Sequence, residues 1–523
     1  MNQTPAVVRL AKPRKKGLLR LVFSRFFIIA LLLIVQVLLI FAVNRWLTEQ
    51  LPFFVLLEAL FTFAMVIYLF NNSMDTAAKL TWMFIISILP LPGAMLLAFT
   101  QLDIGHRAVK AGAENQIART RGMLPKDRLA LHKLKHEGSG TDDLCAYLNR
   151  SGCFPLYCDT AVTYFPSGEA KFEAMLDELE KAESYIYLEY FIIEEGYMWG
   201  RILDVLMRKA KAGVDVRVLY DGMCEISNLP SNYCALLQAE GIRAKAFAPI
   251  RPIVSSHYNY RDHRKILVID GRVAFNGGVN LADEYINRIE RFGHWKDVAV
   301  RLKGTAAQSF ALMFLQMWNL DEREPDYGVL CSLLPVPDPE ASGYVMPYGD
   351  CPLDGDKVGE TVYMDILNRA TDYVHIMTPY LILDGELETA LKYAAQRGVD
   401  VKLILPGIPD KKMAYALAKS HYHALTQAGV KIYEYTPGFV HAKVFVSDDK
   451  KAVVGTINLD YRSLYHHFEC ATYLYQCSCI PEIEQDFQAT LEQCRAVTPE
   501  SIRAEKFGYK LWGHLLKFLA PLM

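Results

Sequence analysis

The feature that most constrains this chain is a pattern that occurs twice. Residues 257–280 read HYNYRDHRKILVIDGRVAFNGGVN, and residues 439–458 read FVHAKVFVSDDKKAVVGTIN. In both segments a Lys, an Asp and an Asn follow a His at the same three offsets. Ordinary residue frequencies give an HxKxxxxD match in a chain of this length only about a few times in a hundred. Two matches in register therefore indicate a duplicated fold that retains the same chemistry, rather than incidental strand residues.

The segments around the two patterns repeat as well. KFEAMLDELEKAESYIYLEYFII (171–193) resembles TVYMDILNRATDYVHIMTPYLIL (361–383), and both predict an amphipathic helix followed by a short apolar strand. KAGVDVRVLYDG (211–222) parallels QRGVDVKLILPG (396–407), in which a glycine ends a helix just before a buried strand. This alternation of helices and strands predicts the α/β class.

The repeats and their flanking regions predict five parts of the chain. The two copies of the fold are expected over 156–335 and 336–497. Residues 1–100 are expected to be a membrane-anchoring region, 101–155 a charged linker, and 498–523 an amphipathic C-terminal tail. The tail is either a helix at the membrane interface or a packed terminal helix of the last domain.

Three apolar segments precede the first polar region, at 26–43, 53–70 and 80–99. Each approaches the length of about 20 residues with which a helix spans a bilayer. No small-residue cleavage site follows the first segment, which predicts an uncleaved anchor. Basic residues at both ends of the region place both ends in the cytoplasm, which three spans cannot satisfy. The third segment contains PLPG (90–93), so it either spans or re-enters, and we expect a multi-pass membrane protein whose catalytic domain faces the cytoplasm.

Composition and motif searches narrow the class of protein. A net charge of −2 with 22% charged residues argues against a nucleic-acid partner, because binding along phosphates usually needs a basic excess. The eleven cysteines show no CxxC spacing and are interpreted as reduced thiols. There is no GxSxG, Walker-type, GxGxxG or HExxH motif, so we expect neither a cofactor nor a metal.

Strand geometry predicts where the repeated side chains point. Residues i and i+2 of a strand share a face. Each His is therefore expected beside the Lys of its own motif, with the pairs being His263 with Lys265 and His441 with Lys443. A turn between two apolar strands predicts hairpins at Asp270 and Asp448, where the carboxylate fixes the turn or stabilises the Lys.

The returning strands add polar groups to the same place. Gly278 and Asn280 follow the first motif, and Thr456 and Asn458 occupy the same positions after the second. An anion between the two arrays would meet two His, two Lys and two Asn, which describes a phosphate site without a metal.

Two histidines fit the two tasks of phosphodiester transfer. One attacks phosphorus and forms a phosphohistidine, while the other protonates the departing alcohol and then deprotonates the incoming one. The second nitrogen of a nucleophilic His needs an acceptor, for which Glu469 is the first candidate and Asp297 the second. The spacing does not say which His is the nucleophile.

These motifs resemble those of the phospholipase D superfamily, and within it those of bacterial cardiolipin synthases. RDHRKILVIDGRVAFNGGVNLADEY (261–285), WKDVAVRLKG (295–304) and VHAKVFVSDDKKAVVGTINLDYRS (440–463) are similar to blocks of that family, whereas HHFE (466–469) departs from the usual asparagine-containing version. The resemblance implies two tandem phospholipase D-like α/β/α repeats that form one pseudo-two-fold catalytic unit after N-terminal membrane helices, in a bacterial cell membrane.

The same resemblance implies an activity and a set of site residues. The activity is transfer of a phosphatidyl group from one phosphatidylglycerol to another with release of glycerol, through a phosphohistidine; other phospholipids remain open as acceptors. The implied catalytic residues are His263, Lys265, Asp270, His441, Lys443 and Asp448. The residues implied to bind phosphate or to orient the catalytic groups are Asn280, Thr456, Asn458 and Glu469.

Three other functions stay open at this stage. A phospholipase D-type hydrolase would differ only in using water to resolve the phosphohistidine. A nuclease would need a basic groove with aromatic stacking positions, against which the near-neutral charge argues. A non-catalytic membrane scaffold would not need intact motifs in both halves. The oligomeric state is not predicted.

Overall fold

The computed structural model describes most of the chain. It describes all residues except 1–6, 12–37, 40, 44, 47–48, 50–52, 73, 102–103, 250–259, 332–333 and 523. Most of the first apolar segment (26–43) and the basic residues before it therefore lie outside the described residues.

The catalytic region is built from two copies of one αβ arrangement. The elements of the first copy are β1 (Ala161–Phe165), α7 (Gly168–Leu179), β2 (Tyr185–Tyr190), α8 (Tyr197–Lys211), β3 (Asp215–Asp221), α9 (Cys224–Ser227), α10 (Tyr233–Ala239), β4 (Arg243–Phe247), β5 (Arg261–Asp262), β6 (Lys265–Ile269), β7 (Val273–Gly277), a 3₁₀ turn (Asp283–Ile286), β8 (His294–Lys296), β9 (Ala299–Lys303), α11 (Ala307–Trp318) and α12 (Gly328–Cys331). The elements of the second copy are β10 (Tyr344–Asp350), α13 (Val358–Arg369), β11 (Tyr373–Met377), α14 (Gly385–Gln396), β12 (Asp400–Pro406), α15 (Lys412–Gln427), β13 (Lys431–Tyr435), β14 (Gly438–Val440), β15 (Val444–Ser447), β16 (Lys451–Gly455), α16 (Tyr461–Tyr465), β17 (His467–Tyr475), α17 (Ile480–Leu491) and β18 (Cys494–Ala496).

The two main sheets have equivalent strand orders. The first runs β1-β9-β7-β6-β2-β3-β4, and the second runs β10-β17-β16-β15-β11-β12-β13-β18. In both, three parallel strands lie next to the antiparallel hairpin that contains the repeated motif. The predicted α/β fold with two repeated halves is therefore confirmed.

Local sequence explains the repeated helix–strand units. Gly213 and Gly398 have positive φ values of 93° and 96°, a left-handed conformation that glycine adopts without steric cost, and each ends a helix just before a strand. The following strands are runs of apolar residues with Val218 and Leu403 fully buried, because the helices of each half cover them. The predicted glycine-terminated helices are confirmed.

In the described part of the chain from residue 54 onward, six helices precede the first strand. They are α1 (Phe54–Asn71), α2 (Thr76–Ile88), α3 (Pro90–Gln101), α4 (Ile104–Thr120), α5 (Arg128–His136) and α6 (Thr141–Gly152). The third apolar segment is divided at Leu89, because a proline disfavours the helical conformation of the residue before it. Helices α4 to α6 fall in the segment expected as a linker, and their apolar residues, Leu134 and Leu148 among them, are buried against the main core.

The described N-terminal helices give no support to the predicted membrane spans. None of the helices in the described part of the chain has the length and apolar character that crossing a membrane requires.

Short strands join the two halves to each other. β5 of the first half pairs in parallel with the start of β17 of the second half. β14 of the second half pairs in parallel with β8 of the first half. Each chain segment that enters a HxKxxxxD motif thus runs alongside a strand of the other copy, so the halves share one site.

Candidate active site

The crossed strand pairs determine which side chains meet. In one pair, Arg261 lies opposite His467 and Asp262 opposite Phe468. The His263 amide then donates to the Phe468 carbonyl at 2.9 Å, which brings His263 beside the next residue, Glu469.

The second crossed pair repeats this register. Val440 lies opposite Lys296. The His441 amide donates to the Lys296 carbonyl at 2.7 Å, which brings His441 beside Asp297. Each motif histidine is therefore placed next to a carboxylate from the other half of the protein.

Both histidines bind these carboxylates through Nδ1. His263 Nδ1 lies 2.8 Å and 3.0 Å from the two oxygens of Glu469, and His441 Nδ1 lies 2.7 Å from Asp297 Oδ2. An ionised carboxylate can only accept a hydrogen bond, so beside it the proton of a neutral imidazole is on Nδ1 and Nε2 keeps a lone pair for the substrate. The two imidazoles remain 6% and 7% exposed, whereas both carboxylates are fully buried. The nucleophilic edge of each ring is thus the accessible one.

The protonation states of the two rings follow from burial and charge. Burial and the Lys443 ammonium lower the pKa of His441 to about 4, although Asp297 opposes this shift. Burial and the charges of Lys265, His467, Lys443 and His441 lower the pKa of His263 well below its usual value. The groups of the second half influence His263 because the two motifs face each other. Burial and the neighbouring cations therefore favour the neutral form of both imidazoles in the free protein, and the histidine that serves as general acid needs the charge of a bound phosphodiester to hold its extra proton.

The two carboxylates differ in their surroundings. Burial alone would raise the pKa of Asp297, but His441 and Lys443 hold it below its usual value. Burial raises the pKa of Glu469 well above its usual value, against the opposing charge of Lys265. The hydroxyl of Thr456 donates to Glu469 and also to the Cys470 carbonyl. Asp297 is instead supported by the Val298 amide at 2.9 Å.

The motif lysines are buried cations next to the histidines. Lys265 Nζ donates to the carbonyl of His263 at 2.5 Å, and Lys443 Nζ donates to the carbonyl of His441. Burial lowers the pKa of Lys265 to about 8 against the charge of Glu469, and that of Lys443 to about 7 against the charge of Asp297. A phosphodiester anion between the two lysines would raise their pKa values again, because its negative charge favours the protonated ammonium form.

This lysine pair predicts that anion binding weakens as the pH rises. Sulfate stays a dianion between pH 6 and 9.5, so only the protein titrates. We expect the inhibition constant of sulfate to rise at least about tenfold from pH 6.5 to 9.5, because both lysines lose their protons over that range. Lys265→Arg, which stays charged, should flatten part of this rise. An inhibition constant independent of pH in the wild type would contradict the assignment.

Asp270 and Asp448 lie outside the cluster of catalytic side chains. Each occupies a hairpin turn at the far end of its motif strand, about 20 Å of extended chain from its His. Asp270 accepts from the amides of residues 183–185, and Asp448 accepts from those of residues 371–373. Both carboxylates therefore fix the hairpin against the neighbouring strand, which is one of the two roles that the strand pattern predicts for them. Their place among the implied catalytic residues stays a prediction.

Removal of either turn carboxylate should affect stability rather than chemistry. Asp448→Ala leaves three backbone amides without their acceptor, and we expect a loss of about 1–3 kcal/mol in the free energy of unfolding, since water replaces part of the interaction. Asp448→Asn should lose less, because Asn tolerates the positive φ of 54°. Chemical denaturation measures both values. A folded Asp448→Ala protein with a greatly reduced kcat would restore a catalytic role.

The two asparagines are close to the cluster but differ in their partners. Asn280 accepts from the Ile192 amide at 3.1 Å and donates to the Tyr285 hydroxyl at 2.8 Å, so both of its polar groups bind protein. These contacts fit an orienting role. The carbonyl oxygen of Asn458 is buried without a hydrogen-bond partner among the described residues, which fits direct contact with a bound group.

Gly278 explains why the first half uses the shorter carboxylate. A Cβ at this position would lie 2.0 Å from Asp297 Oδ1 and 3.0 Å from the His441 carbonyl. The equivalent residue of the second half is Thr456, whose hydroxyl binds the longer Glu469. The short Asp297 therefore lies beside a glycine, and the longer Glu469 lies beside a threonine.

The site contains three residues that spacing arguments missed. His467 and Trp295 occupy equivalent positions two residues before the carboxylates, and their rings lie 5.3 Å and 5.4 Å from those of His263 and His441. Lys171 is a third buried cation, and its Nζ donates to the Val279 carbonyl at 3.2 Å. HHFE differs from the asparagine-containing version that is usual in the family, and this difference could have pointed to His467. No feature of the segment around Lys171 distinguishes that lysine from other helix residues.

His263, His467 and Glu469 have the spacing of a three-ligand metal cluster. Arg462 Nε donates to His467 Nε2 at 3.2 Å, so the proton of a neutral His467 is on Nδ1. That nitrogen faces Glu469 Oε1 at 3.6 Å and has no free lone pair for a metal. This tautomer of His467 therefore argues against a metal ligand set.

The fold and the site are similar to those of known proteins. A crystal structure of a phosphatidylserine synthase from Haemophilus influenzae superposes with a TM-score of 0.55 at 16% identity, over 73% of this chain and 97% of that one. The two fused αβ halves and the sequence matches that follow identify a phosphatidyltransferase of the phospholipase D superfamily. Residues 175–318 and 363–491 match the family model described as "Cardiolipin synthase, PLD-like domain". The chain belongs to this family.

Relatives with similar sequences extend over most of the chain. A cardiolipin synthase from Geobacillus thermodenitrificans is 33% identical over 94% of this chain and 98% of its own length. One from Alkalihalophilus pseudofirmus is 30% identical over 89% of this chain and 94% of its own length. An uncharacterized protein from Streptococcus mutans is 56% identical over 88% of this chain and 99% of its own length. The family membership supports a role in phospholipid synthesis.

Proposed function

We propose that the protein is a cardiolipin synthase that transfers a phosphatidyl group from one phosphatidylglycerol to another and releases glycerol. The observation behind this proposal is that each motif histidine is held by a carboxylate of the opposite half, with two buried lysines beside them. Such a site presents two imidazoles and two cations to a single phosphodiester.

In the first step, Nε2 of one histidine attacks phosphorus and the bond from phosphorus to the glycerol oxygen breaks. The other histidine enters this step as the imidazolium, stabilised by its buried carboxylate and by the phosphodiester anion, and gives its Nε2 proton to the departing glycerol oxygen. Lys265 and Lys443 stabilise the charge that builds up on the phosphoryl oxygens. The product of this step is a phosphatidylated histidine and free glycerol.

In the second step, the acid of the first step acts as a base. It takes the proton from a hydroxyl of a second phosphatidylglycerol, whose oxygen attacks the phosphohistidine, and the phosphorus–nitrogen bond breaks. The two halves return to their starting protonation states. The near-equivalence of the two His–carboxylate pairs leaves open which histidine forms the bond to phosphorus.

The test is to separate the products formed from labelled phosphatidylglycerol by the protein in liposomes. Cardiolipin and glycerol in equal amounts are the expected result. Phosphatidic acid with glycerol would mean that water resolves the intermediate and that the protein is a hydrolase. No change in any lipid would overturn the proposed activity.

We also propose that the protein is a multi-pass protein of a bacterial cell membrane with a cytoplasmic catalytic unit. Two lipid substrates favour an enzyme held at the bilayer, where their effective concentration is high. Near the N-terminus, the Val8 amide donates to the Gly200 carbonyl at 3.2 Å, and the Leu10 amide donates to Glu195 at 3.3 Å. These contacts support a chain whose N-terminus and catalytic unit lie on the same side of the membrane.

A labelling experiment tests this arrangement. Single cysteines placed at Val7 and at Arg272 in a cysteine-free chain should react from the same side of sealed vesicles with a reagent that cannot cross the membrane. Reaction from opposite sides would overturn the proposed orientation.

A further inference from the structure

The C-terminal helix has an apolar face that no described part of the protein covers. Helix α19 (Phe507–Leu519) follows the short helix α18 (Pro499–Ala504). Its exposed apolar residues include Phe507, 79% exposed, and Trp512, 62% exposed. The others are Leu511, Leu515, Phe518 and Leu519. Large exposed apolar patches of this kind mark interaction sites.

The opposite side of the same helix is packed against the catalytic unit. Gly513 and Leu516 are buried, and a Cβ at Gly513 would lie 2.5 Å from the Ala416 carbonyl of α15. The helix is therefore docked in a fixed orientation, and its exposed side cannot turn inward. None of the described residues covers its outer face.

The exposed face continues onto the N-terminal helices. The Thr81 hydroxyl of α2 donates to the Phe518 carbonyl at 2.8 Å, and the rings of Phe84 and Phe518 are 4.8 Å apart. Helix α2 also exposes Leu80 and Ile88. Segments more than 400 residues apart in the sequence thus form one apolar surface on one side of the protein.

The charges around this surface indicate the kind of partner. Residues 506–523 contain Lys506, Lys510 and Lys517 and no Asp or Glu. Lysines that flank an apolar helix face are typical of helices that lie in the headgroup region of anionic bilayers. A two-fold contact with a second copy would instead bring these cations toward each other.

We propose that the exposed face of α19, together with the adjoining face of α2, is a surface that inserts into the interface of an anionic phospholipid bilayer. This surface would hold the catalytic unit in one orientation at the bilayer. It deepens the proposed membrane location and rests on that location, but it does not depend on which lipid product is formed.

Bromine-labelled lipids test this surface in the full-length protein. The chain has six tryptophans, and the difference between the wild type and Trp512→Phe isolates the Trp512 emission. In vesicles of phosphatidylcholine and phosphatidylglycerol with brominated acyl chains, we expect quenching of at least about half of that emission, because interfacial side chains lie near the top of the acyl region. Trp512→Phe is a conservative change at an exposed position and should leave the fold intact.

A matched control uses a tryptophan elsewhere. Arg272→Trp, made in the Trp512→Phe background, places the probe in the exposed β6–β7 turn at the far end of the motif strand, and its emission should not be quenched. Unquenched Trp512 emission would overturn the proposal, and burial of Trp512 in a contact between two copies would give that result. Because the readout is fluorescence, failure of the lipid transfer activity would not affect it.

Discussion

Replacing either His263 or His441 with alanine is expected to reduce cardiolipin formation from phosphatidylglycerol by about four orders of magnitude or more. One imidazole forms the bond to phosphorus and the other moves the proton of the alcohol, so neither can do the work of its counterpart. The double variant should be no slower than the slower single variant, because both histidines act in one reaction sequence. Product analysis in liposomes measures all three rates.

The control for these variants is His423→Ala. This histidine is exposed on α15, and its replacement should leave the rate unchanged. Thermal unfolding of each variant separates loss of chemistry from loss of fold. Full activity in either folded motif variant would refute a site shared by the two halves.

A substrate with a good leaving group assigns the two roles. A phosphatidyl ester of p-nitrophenol needs no proton on the departing oxygen. The variant that lacks only the acid should therefore still release a burst of p-nitrophenol and accumulate the covalent intermediate. The variant that lacks the nucleophile should give no burst. This comparison decides which histidine attacks phosphorus, which neither the spacing nor the paired geometry decides.

Much of the fold is predictable because its signals are local. Helical and strand periodicities identify units such as α7 with β2 and α13 with β11, and duplication then requires the same strand order in both halves. The segment 101–155 was harder to interpret. Its charged composition suggests a linker. The few apolar residues of its helices pack against a part of the core that is distant in the sequence, so local periodicity does not predict this contact.

The sequence predicts which residue types form the site, but not which carboxylate holds which histidine. The motif spacing brings His263 and His441 together with their lysines, and a general need for an orienting acceptor points to Glu469 and Asp297. Each carboxylate reaches the histidine of the other half because two short strands, β5 with two residues and β8 with three, pair across the halves. Strands this short give no periodic signal in the sequence. Asp270 and Asp448 also recur in both motifs, and their contacts with backbone amides fit the turn-fixing role that the hairpin pattern predicts.

The carboxylates that hold the two histidines should be almost as important as the histidines themselves. We expect Asp297→Asn and Glu469→Gln each to lower kcat by about 10³–10⁴, with little change in KM. An amide can present its NH₂ group to Nδ1, which moves the imidazole proton to Nε2 and removes the lone pair that faces the substrate. Steady-state kinetics on liposomes provide both constants. Thr456→Val, which removes the donor to Glu469 together with the contacts of this hydroxyl to Cys470, should cost about tenfold.

A second His–carboxylate pair in the same half provides the matched control. His375 Nδ1 lies 2.9 Å from Glu484, and this partly buried pair joins β11 to α17 outside the shared site. Glu484→Gln makes the same chemical change as Glu469→Gln, so it should change stability but leave kcat within about twofold. If both variants lost activity equally, the effect would come from disturbed packing. Loss confined to Asp297 and Glu469 would instead show that a carboxylate from each half orients the histidine of the other, so that neither half could catalyse transfer alone.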